Sequence, residues 1–204
     1  MIGVITGDII NSMKADPAVW LSTLKEALAM WGTTPKTWEI YRGDSFQLEI
    51  KNAAETLKAC ILIKSAIRSL KGLDVRMAIG LGDKSHAAEK VSESNGSAFV
   101  NSGVMAEQLK KLKLNLAIRS NHPAFDREIN LYLKFASVIM DKWSDTSAKT
   151  VLIALQHPEK PQEVLGKMLG NIKQNAVSTR LKRANYDEIT ELLLMFKDKI
   201  SNLQ

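Results

Sequence analysis

The sequence predicts an α+β protein in which a ferredoxin-like βαββαβ domain is followed by a small all-α domain. The first observation is the order of hydrophobic periods up to residue 82, which runs strand, helix, strand, strand, helix, strand. The second is a change after residue 145 to short helical patterns joined by short turns. We therefore predict two domains, over residues 1–138 and 139–204.

The first strand and the first helix are predicted close to the amino terminus. Residues 2–6 are an apolar, β-branched run that ends just before Asp8. Asp16 followed by Pro17 is typical of a helix N-cap with proline at the first helical position. Apolar side chains then recur on one helical face until Gly32 ends the helix.

A β-hairpin with a carboxylate at its tip is predicted next. Its strands span residues 37–42 and 45–50, because apolar and polar side chains alternate through "SFQLEI". Gly43 and Asp44 form the tip between the two strands. A glycine followed by aspartate suits a tight turn, so Asp44 is either a turn residue or the ligand of a bound group.

The second helix and the fourth strand complete the six-element pattern. Asn52 is placed to cap a helix whose apolar face includes Cys60, and Gly72 ends that helix. Residues 73–82 then predict a strand. The crossover rule puts the first strand beside the hairpin in the middle of one antiparallel sheet, with both helices on one face.

The segment after the fourth strand predicts a loop and then mixed elements. The loop is rich in glycine, serine and asparagine, and residues 98–100, "AFV", are predicted to form a short strand within it. Ser102 is predicted to cap the following helix. Residues 116–119 predict one further strand, and residues 125–143 predict a long amphipathic helix that bridges the two domains.

Three short helices are predicted in the tail, over residues 150–156, 162–169 and 173–184. The last two are joined by Gly170 and form a helix-turn-helix pattern, whose second helix enters the major groove of DNA in proteins that use it. The stretch resembles the helix-turn-helix of bacterial regulators and sigma-factor-like domains, although its turn is one residue longer than usual.

The second helix of this pattern carries the predicted DNA-binding residues. Val177 and Leu181 are expected to be buried, which leaves a polar and basic face without an acidic residue. Side-chain amides and hydroxyls suit base edges, and Lys and Arg suit phosphates. The alternative is a helical lid on the first domain with an ordinary solvated basic face. The predicted DNA-binding residues are Lys173, Gln174, Asn175, Ser178, Thr179, Arg180, Lys182 and Arg183.

The composition is that of an ordinary globular protein with a basic balance. The net charge is +6 and the isoelectric point about 9.3, which favours an anionic partner without requiring one. The single cysteine fits a reducing compartment. The amino-terminal segment lacks signal-peptide features and no apolar run reaches membrane-spanning length, so we expect a cytoplasmic protein. The three histidines are too scattered to indicate zinc.

Asp8 and Asp44 are candidate metal ligands. In the predicted sheet the first strand lies beside the hairpin, so both carboxylates reach one edge. Two neighbouring carboxylates repel unless a cation lies between them, and Mg²⁺ takes one or two carboxylates together with phosphates. Without a metal, we expect the pair to separate or one member to pair with Arg42 or Arg76.

Four sequence motifs resemble those of class III nucleotidyl cyclases. They are "VITGDII", "YRGDSFQLEI", "VRMAIGLG" and "GSAFVNSG". In that family two aspartates at the positions of Asp8 and Asp44 hold two metal ions, so the resemblance implies Mg or Mn. It also implies a homodimer. Over nearly the whole chain the sequence resembles the SatD-like family, which combines such a domain with a helix-turn-helix. The nucleotide-binding residues that we infer with this resemblance are Gly7, Gly43, Arg76 and Asn101.

The sequence departs from the cyclase pattern at two positions that matter for catalysis. Met105 stands where cyclases carry the arginine that stabilises the transition state, and Glu39 and Ile40 stand near the position of the base-recognising lysine. Phosphoryl transfer depends mainly on such electrostatic groups. We therefore expect a DNA-binding regulator of transcription whose first domain binds a nucleotide or a metal. The alternatives are a Mg²⁺-dependent cyclase-type enzyme, completed by an arginine from elsewhere, and a non-catalytic protein-interaction scaffold.

Overall fold

The computed structural model describes residues 1–203 and has an α+β architecture. Within these residues one mixed sheet of five strands is surrounded by eight α-helices. The strands are β1 (Ile2–Ile10), β2 (Trp38–Tyr41), β3 (Ser45–Ile50), β4 (Asp74–Gly82) and β5 (Leu116–Arg119). The helices are α1 (Pro17–Ala29), α2 (Thr56–Arg68), α3 (Ser97–Leu112), α4 (Pro123–Met140), α5 (Asp145–Gln156), α6 (Gln162–Met168), α7 (Gln174–Arg183) and α8 (Tyr186–Ser201).

Strand β1 lies at the centre of the sheet. The strand order is β2-β3-β1-β4-β5, and every pairing is antiparallel except that of β4 with β5, which is parallel. β1 is paired along most of its length on both sides, since Gly3 to Asp8 face β3 and Ile2 to Ile10 face β4. The end of β1 is therefore held rigidly between the hairpin and β4.

The two faces of the sheet are covered by different helices. Side chains alternate along a strand, so Ile5 and Ile9 join the main core with α1 and α2, whereas Val4 packs with Phe99 on the other face. Helix α3 lies close to that second face, where a Cβ at Gly80 would collide with the α3 backbone. Alternate side chains of a strand lie on the same face of the sheet. Asp8 is four residues after Val4 on β1, and Arg76 is four residues before Gly80 on β4, so both side chains lie on the α3 face.

The predicted caps of the first two helical segments are confirmed. The Asp16 carboxylate accepts a hydrogen bond of 2.8 Å from the Ala18 amide at the start of α1. The Asn52 side chain accepts one of 3.1 Å from the Ala54 amide, at a single 3₁₀ turn that leads into α2. These side chains satisfy amides that have no partner within the helix.

Two expectations about α3 are wrong. Residues 98–100 are not a strand, because α3 already begins at Ser97, and Ser102 is therefore inside the helix rather than its cap. The three residues have strand propensity, but Ala98 and Phe99 are buried against the sheet while Val100 is exposed. That arrangement suits a helix packed on one face, and tertiary packing outweighs the local propensity.

Helix α8 is a further element that the sequence analysis did not predict. It turns back onto the sheet-containing part of the chain, where Phe196 and Ile200 are buried. The rings of Phe196 and Phe125 of α4 have centroids 6.3 Å apart at 47°. The main core extends without interruption from the sheet to these residues. The tail therefore shares one hydrophobic core with the sheet.

No helix in residues 1–203 is long and apolar enough to cross a membrane.

We expect Cys60 to resist thiol reagents while the protein is folded. Its side chain is fully buried in α2, and burial raises the pKa of the thiol, so the reactive thiolate is scarce. Labelling with a thiol-specific chromogenic reagent checks this: one thiol should react quickly in denaturant and only slowly in native buffer. Fast labelling in native buffer would contradict the position of α2.

Candidate functional site

Asp8 lies within β1, two residues before its end, because the strand runs on to Ile10 and does not end before Asp8 as predicted; Asp44 lies in the hairpin turn. Asp8 is paired with Ser45 on β3 and with Arg76 on β4. The amide of Ile9 donates a hydrogen bond of 3.1 Å to the main-chain carbonyl of Asp44. The sheet therefore brings both aspartates to the same end of β1, because the hairpin tip is hydrogen-bonded to it.

Each carboxylate has a partner within the chain. An Asp8 oxygen lies 3.2 Å from Nη1 of Arg76, one of the two arginines expected to pair with it, and the Asp8 side chain is 24% exposed. The Ser12 hydroxyl donates a hydrogen bond of 2.6 Å to the carboxylate of Asp44. Ser12 belongs to a short 3₁₀ turn after β1, and the sequence analysis did not identify it. A bound cation would replace or share these contacts.

A metal ion bound between Asp8 and Asp44 would have only these two carboxylates as protein ligands. Residues 1–203 contain no group of three or more His, Cys, Asp or Glu side chains that could hold a metal ion. Mg²⁺ accepts such a small protein contribution, since it keeps several waters or takes substrate phosphates. Asp8 and Asp44 supply the oxygen donors that Mg²⁺ prefers, and each is engaged by a different group, Arg76 and Ser12 respectively.

A cavity of about 220 Å³ opens beside Asp8 and Arg76. Tyr41 and Arg42 of the hairpin lie on one side of it, and Glu107 and Lys110 of α3 lie on the other. Burial raises the pKa of Tyr41, although Arg42 opposes the rise, so its hydroxyl keeps its proton at neutral pH. The α3 residues were missed by the sequence analysis, because no sequence pattern shows how α3 crosses the sheet.

The two glycines of the predicted nucleotide site have different structural roles. A Cβ at Gly7 would collide with the Phe46 ring, so this glycine makes room for a core side chain. Gly43 has φ +86° and open space around it, which is the conformation of a tight turn that glycine adopts readily. Gly7 lines the cavity beside Asp8.

Asn101 lies at the other end of β4 from Arg76. Its side-chain amide donates to the carbonyl of Leu81 at 2.9 Å, and it is buried. Arg76 and Leu81 are five residues apart along the strand, which is roughly 17 Å at the usual strand rise. The structure does not bring Asn101 to Asp8. Met105 is buried in an apolar cluster with Ala78, so no cation stands at that position.

Helix α7 presents the predicted DNA-binding residues at the surface. Val177 and Leu181 are buried, as expected. Of the eight predicted residues, Arg180 is half-buried and the other seven are exposed. None of the four basic ones has a carboxylate within ion-pair distance in residues 1–203. The uncompensated basic residues are Lys173, Arg180, Lys182 and Arg183.

The packing of α6, α7 and the preceding segment fixes the direction of this face. Gly166 of α6 lies against the carbonyl of Ile172, so a side chain there would push the turn away from α6. The indole of Trp143 donates a hydrogen bond of 2.9 Å to the carbonyl of Ala184, just after the last residue of α7. Both ends of α7 are therefore tied to neighbouring elements.

Comparison with known proteins gives no relative: no protein-family model, curated protein or solved structure matches the chain. The resemblance to class III nucleotidyl cyclases and to the SatD-like family stays a prediction from the sequence motifs. Function is therefore inferred from the geometry and charge of the Asp8 end of the sheet and of α7.

Proposed function

We propose that the protein is a bacterial DNA-binding regulatory protein, in which α7 contacts duplex DNA and the Asp8 end of the sheet binds a nucleotide or a metal ion. The observation that carries the proposal is the exposed, uncompensated basic face of α7. A regulator of this kind acts in the cytoplasm.

The arrangement around α7 supports a helix-turn-helix. Helix α7 packs against both α5 and α6, and a five-residue connection joins α6 to α7. In helix-turn-helix proteins the second helix of the motif lies in the major groove and the first crosses the backbone. Ser178 and Thr179 are exposed beside Lys182, so groups suited to base edges stand next to a group suited to phosphates.

The charge around α7 supports an anionic partner. Residues 145–184 carry seven basic and three acidic side chains, and α8 adds Asp187, Glu188 and Glu191 beyond them, which keeps the tail as a whole only slightly basic. One of those acids, Glu163, already pairs with Lys167 at 3.1 Å. A surface with excess positive charge attracts nucleic acid, and neutralising phosphates releases the counterions condensed on DNA.

The strand order and the pairing of Asp8 with Arg76 support a cyclase-like first domain. The order β2-β3-β1-β4 is what a ferredoxin-like βαββαβ pattern requires. In the class III nucleotidyl cyclases that the motifs resemble, the aspartates at the positions of Asp8 and Asp44 hold the metal ions. Arg76 and Arg42, which line the cavity beside Asp8, would favour the phosphates of a nucleotide.

The enzyme alternative is favoured only by the position of Asp8 and of the Asp44 main chain at the same end of β1. We expect ATP or GTP to bind weakly with Mn²⁺ and to give little cyclic product, because Met105 is buried among apolar groups and supplies no positive charge. Product analysis by chromatography after incubation with Mn²⁺ checks this. Fast cyclisation that is lost in Asp44→Ala would overturn the expectation and establish the enzyme.

Reversing two charges on α7 is expected to abolish DNA retention. In the variant with Lys182→Glu and Arg183→Glu, two side chains that attract DNA phosphates are replaced by two that repel them. The loss of about two phosphate contacts should also lower the dependence of any remaining DNA binding on salt concentration. Binding is measured by fluorescence anisotropy on a duplex of random sequence at low salt and along a salt series. The wild type should bind and should weaken steeply as salt rises.

The matched control separates the α7 face from the overall charge. Lys25→Glu combined with Lys111→Glu changes the net charge by the same amount at two exposed positions away from α7. This control should retain most of the DNA binding. Equal losses in both variants would mean a general charge effect, and no salt-sensitive binding by the wild type would favour the scaffold alternative.

A further inference from the structure

We propose that a second cavity, at the end of the sheet beyond Asp8, binds a phosphate-bearing anion with two or more negative charges. This cavity has a volume of about 450 Å³, which is in the range of small-molecule sites. It lies between the end of β1, the turn before β4 and the carboxyl-terminal end of α3. Its basic side chains are Arg68, Arg76, Lys110 and Lys113.

The one acidic side chain in the lining, Asp74, pairs with only one of these four, Arg68. The Asp74 carboxylate accepts 2.9 Å contacts from both Lys64 and Arg68, and it also accepts the amide of Val75 at 2.8 Å. Only 12% of its side chain is exposed. Asp74 is shared between the buried Lys64 and Arg68, and Asp8 pairs with Arg76. The unopposed positive charge of the cavity therefore comes from Lys110 and Lys113.

Arg76 has unused capacity for an anion. Within residues 1–203 its guanidinium bonds only to Asp8, through Nη1, at 3.2 and 3.5 Å. Its Nε is buried and has no hydrogen-bond partner. A partly buried guanidinium with so few partners is incompletely satisfied, and its planar fork matches the oxygens of a phosphate. Nη2 of Arg76 makes no hydrogen bond to residues 1–203, so this nitrogen can donate to an anion in the cavity.

The two lysines form the opposite wall. Lys110 and Lys113 are exposed, and neither has a carboxylate partner among residues 1–203. Two like charges three residues apart at a helix end repel each other weakly. The carboxyl-terminal end of a helix attracts cations, which accounts for lysines there. Arg68 and Arg76, which pair with Asp74 and Asp8, line the same cavity as these lysines.

Hydrogen bonds within the chain hold the wall of the cavity in place. The Asn11 side chain donates to the carbonyl of Gly72 at 3.1 Å, which joins the end of β1 to the turn before β4. Arg68 is fixed by Asp74 and by the carbonyl of Trp143. Four cations converging on a preformed cavity favour one ligand with several anionic oxygens, and a phosphate chain has that chemistry.

This cavity adjoins the one beside Asp8 and shares Arg76 and Lys110 with it. The proposal does not require α7 to bind DNA, nor does it require a metal at Asp8 and Asp44. It is therefore tested with EDTA present, using inorganic pyrophosphate as the probe and the full chain at constant ionic strength.

Isothermal titration calorimetry with pyrophosphate is the primary measurement. The wild type should bind one pyrophosphate, and orthophosphate should bind more weakly. In the variant with Lys110→Gln and Lys113→Gln the affinity should fall by about tenfold or more, since two charge-assisted contacts are lost. Lys111→Gln, on the same helix but outside the cavity, should bind as the wild type does. All three proteins should keep the same melting temperature.

Three results would overturn the proposal. They are the absence of pyrophosphate binding by the wild type, unchanged affinity in the Lys110→Gln, Lys113→Gln variant, and an equal loss in Lys111→Gln, which would indicate a general surface charge effect. Any of these can occur while DNA retention by α7 is intact, so the cavity and the DNA-binding part of the proposed function fail separately.

Competition with pyrophosphate identifies the source of the phosphate. Displacement by a nucleoside diphosphate, with the same dependence on Lys110 and Lys113, supports the proposal and assigns the cavity to a free nucleotide. Displacement only by an oligonucleotide supports it too, and assigns the phosphates to a nucleic-acid backbone. Displacement by neither, together with unchanged binding in the lysine variant, overturns it.

Discussion

Replacing Lys64 by alanine is expected to lower the free energy of unfolding by about 3 kcal/mol, because removing one partner of a buried ion pair leaves the other charges uncompensated. The side chain of Lys64 is only 2% exposed, and its ammonium group lies 2.9 Å from Asp74 and 2.7 Å from Asp141. Asp74 keeps Arg68 and Asp141 is 35% exposed, so the loss should fall at the low end for buried pairs. The change in the free energy of unfolding is measured by urea titration, with circular dichroism as the probe.

Two control substitutions separate charge from packing. Lys64→Met keeps most of the side-chain volume, so the part of the loss that persists in it reports the missing charge. Lys167→Ala removes an exposed ion pair with Glu163 and should change stability by less than about 1 kcal/mol. If Lys64→Ala proved as mild as Lys167→Ala, the network around Asp74 would be solvated rather than buried.

This network joins the sheet to the start of the tail. Lys64 and Arg68 belong to α2, Asp74 to β4 and Asp141 to the end of α4, and Arg68 also donates to the carbonyl of Trp143. Asn115 adds a hydrogen bond to Asp141 at 3.0 Å. Sequence patterns gave no indication of it, because Lys64 simply interrupts the apolar face of a helix and its partners are distant in the chain or on other elements.

The strands and helices of the first 82 residues were predictable because their signals are local. Caps such as Asp16 and Asn52 and the alternation from Ser45 to Ile50 depend on neighbouring residues alone. The segment at residues 98–100 was predicted wrongly because its side chains suit a strand as well as a helix. These residues are helical because α3 packs against Gly80 of β4, and a contact between separate elements cannot be read from the local sequence.

Helix α8 carries a signal that could have been used. Ile189, Phe196 and Ile200 are spaced at i, i+7 and i+11, which is one face of a helix, and all three are buried. The acidic residues at its start, Asp187 and Glu188, are typical of a first helical turn. What the sequence could not show is the surface that receives this face, since that depends on how α8 turns back onto α4.

The candidate site was partly predictable for the same reason. The position of the hairpin turn beside the end of β1 follows from the order of strands, which local patterns indicate. The hydroxyl of Ser12 and the lysines of α3 depend on the path of a turn and on the angle of a helix, so they could be located only in three dimensions. Asn101, suggested by its motif, lies at the far end of β4 from Arg76.

Replacing Phe196 by alanine is expected to lower the free energy of unfolding by about 3–5 kcal/mol, as for other large core aromatics. Phe196 is fully buried and its ring lies against Phe125 of α4, so truncation removes apolar contacts and leaves a cavity where α8 meets the first part of the chain. Chemical unfolding is to be followed by two probes, circular dichroism and the accessibility of Cys60.

The two probes distinguish a shared core from a separable tail. If the core is continuous, as the packing of α8 on α4 indicates, both probes should report one transition at a lower denaturant concentration, since Cys60 in α2 loses its shelter together with the tail. If the tail unfolds by itself, ellipticity should fall first while Cys60 stays protected.

Leu194→Ala is the matched control, because Leu194 lies on the same helix with 61% of its surface exposed, and it should change stability by no more than about 0.5 kcal/mol. An equal effect of the two substitutions would mean that α8 does not dock through Phe196, and α7 would then lose the support that its neighbour α8 provides.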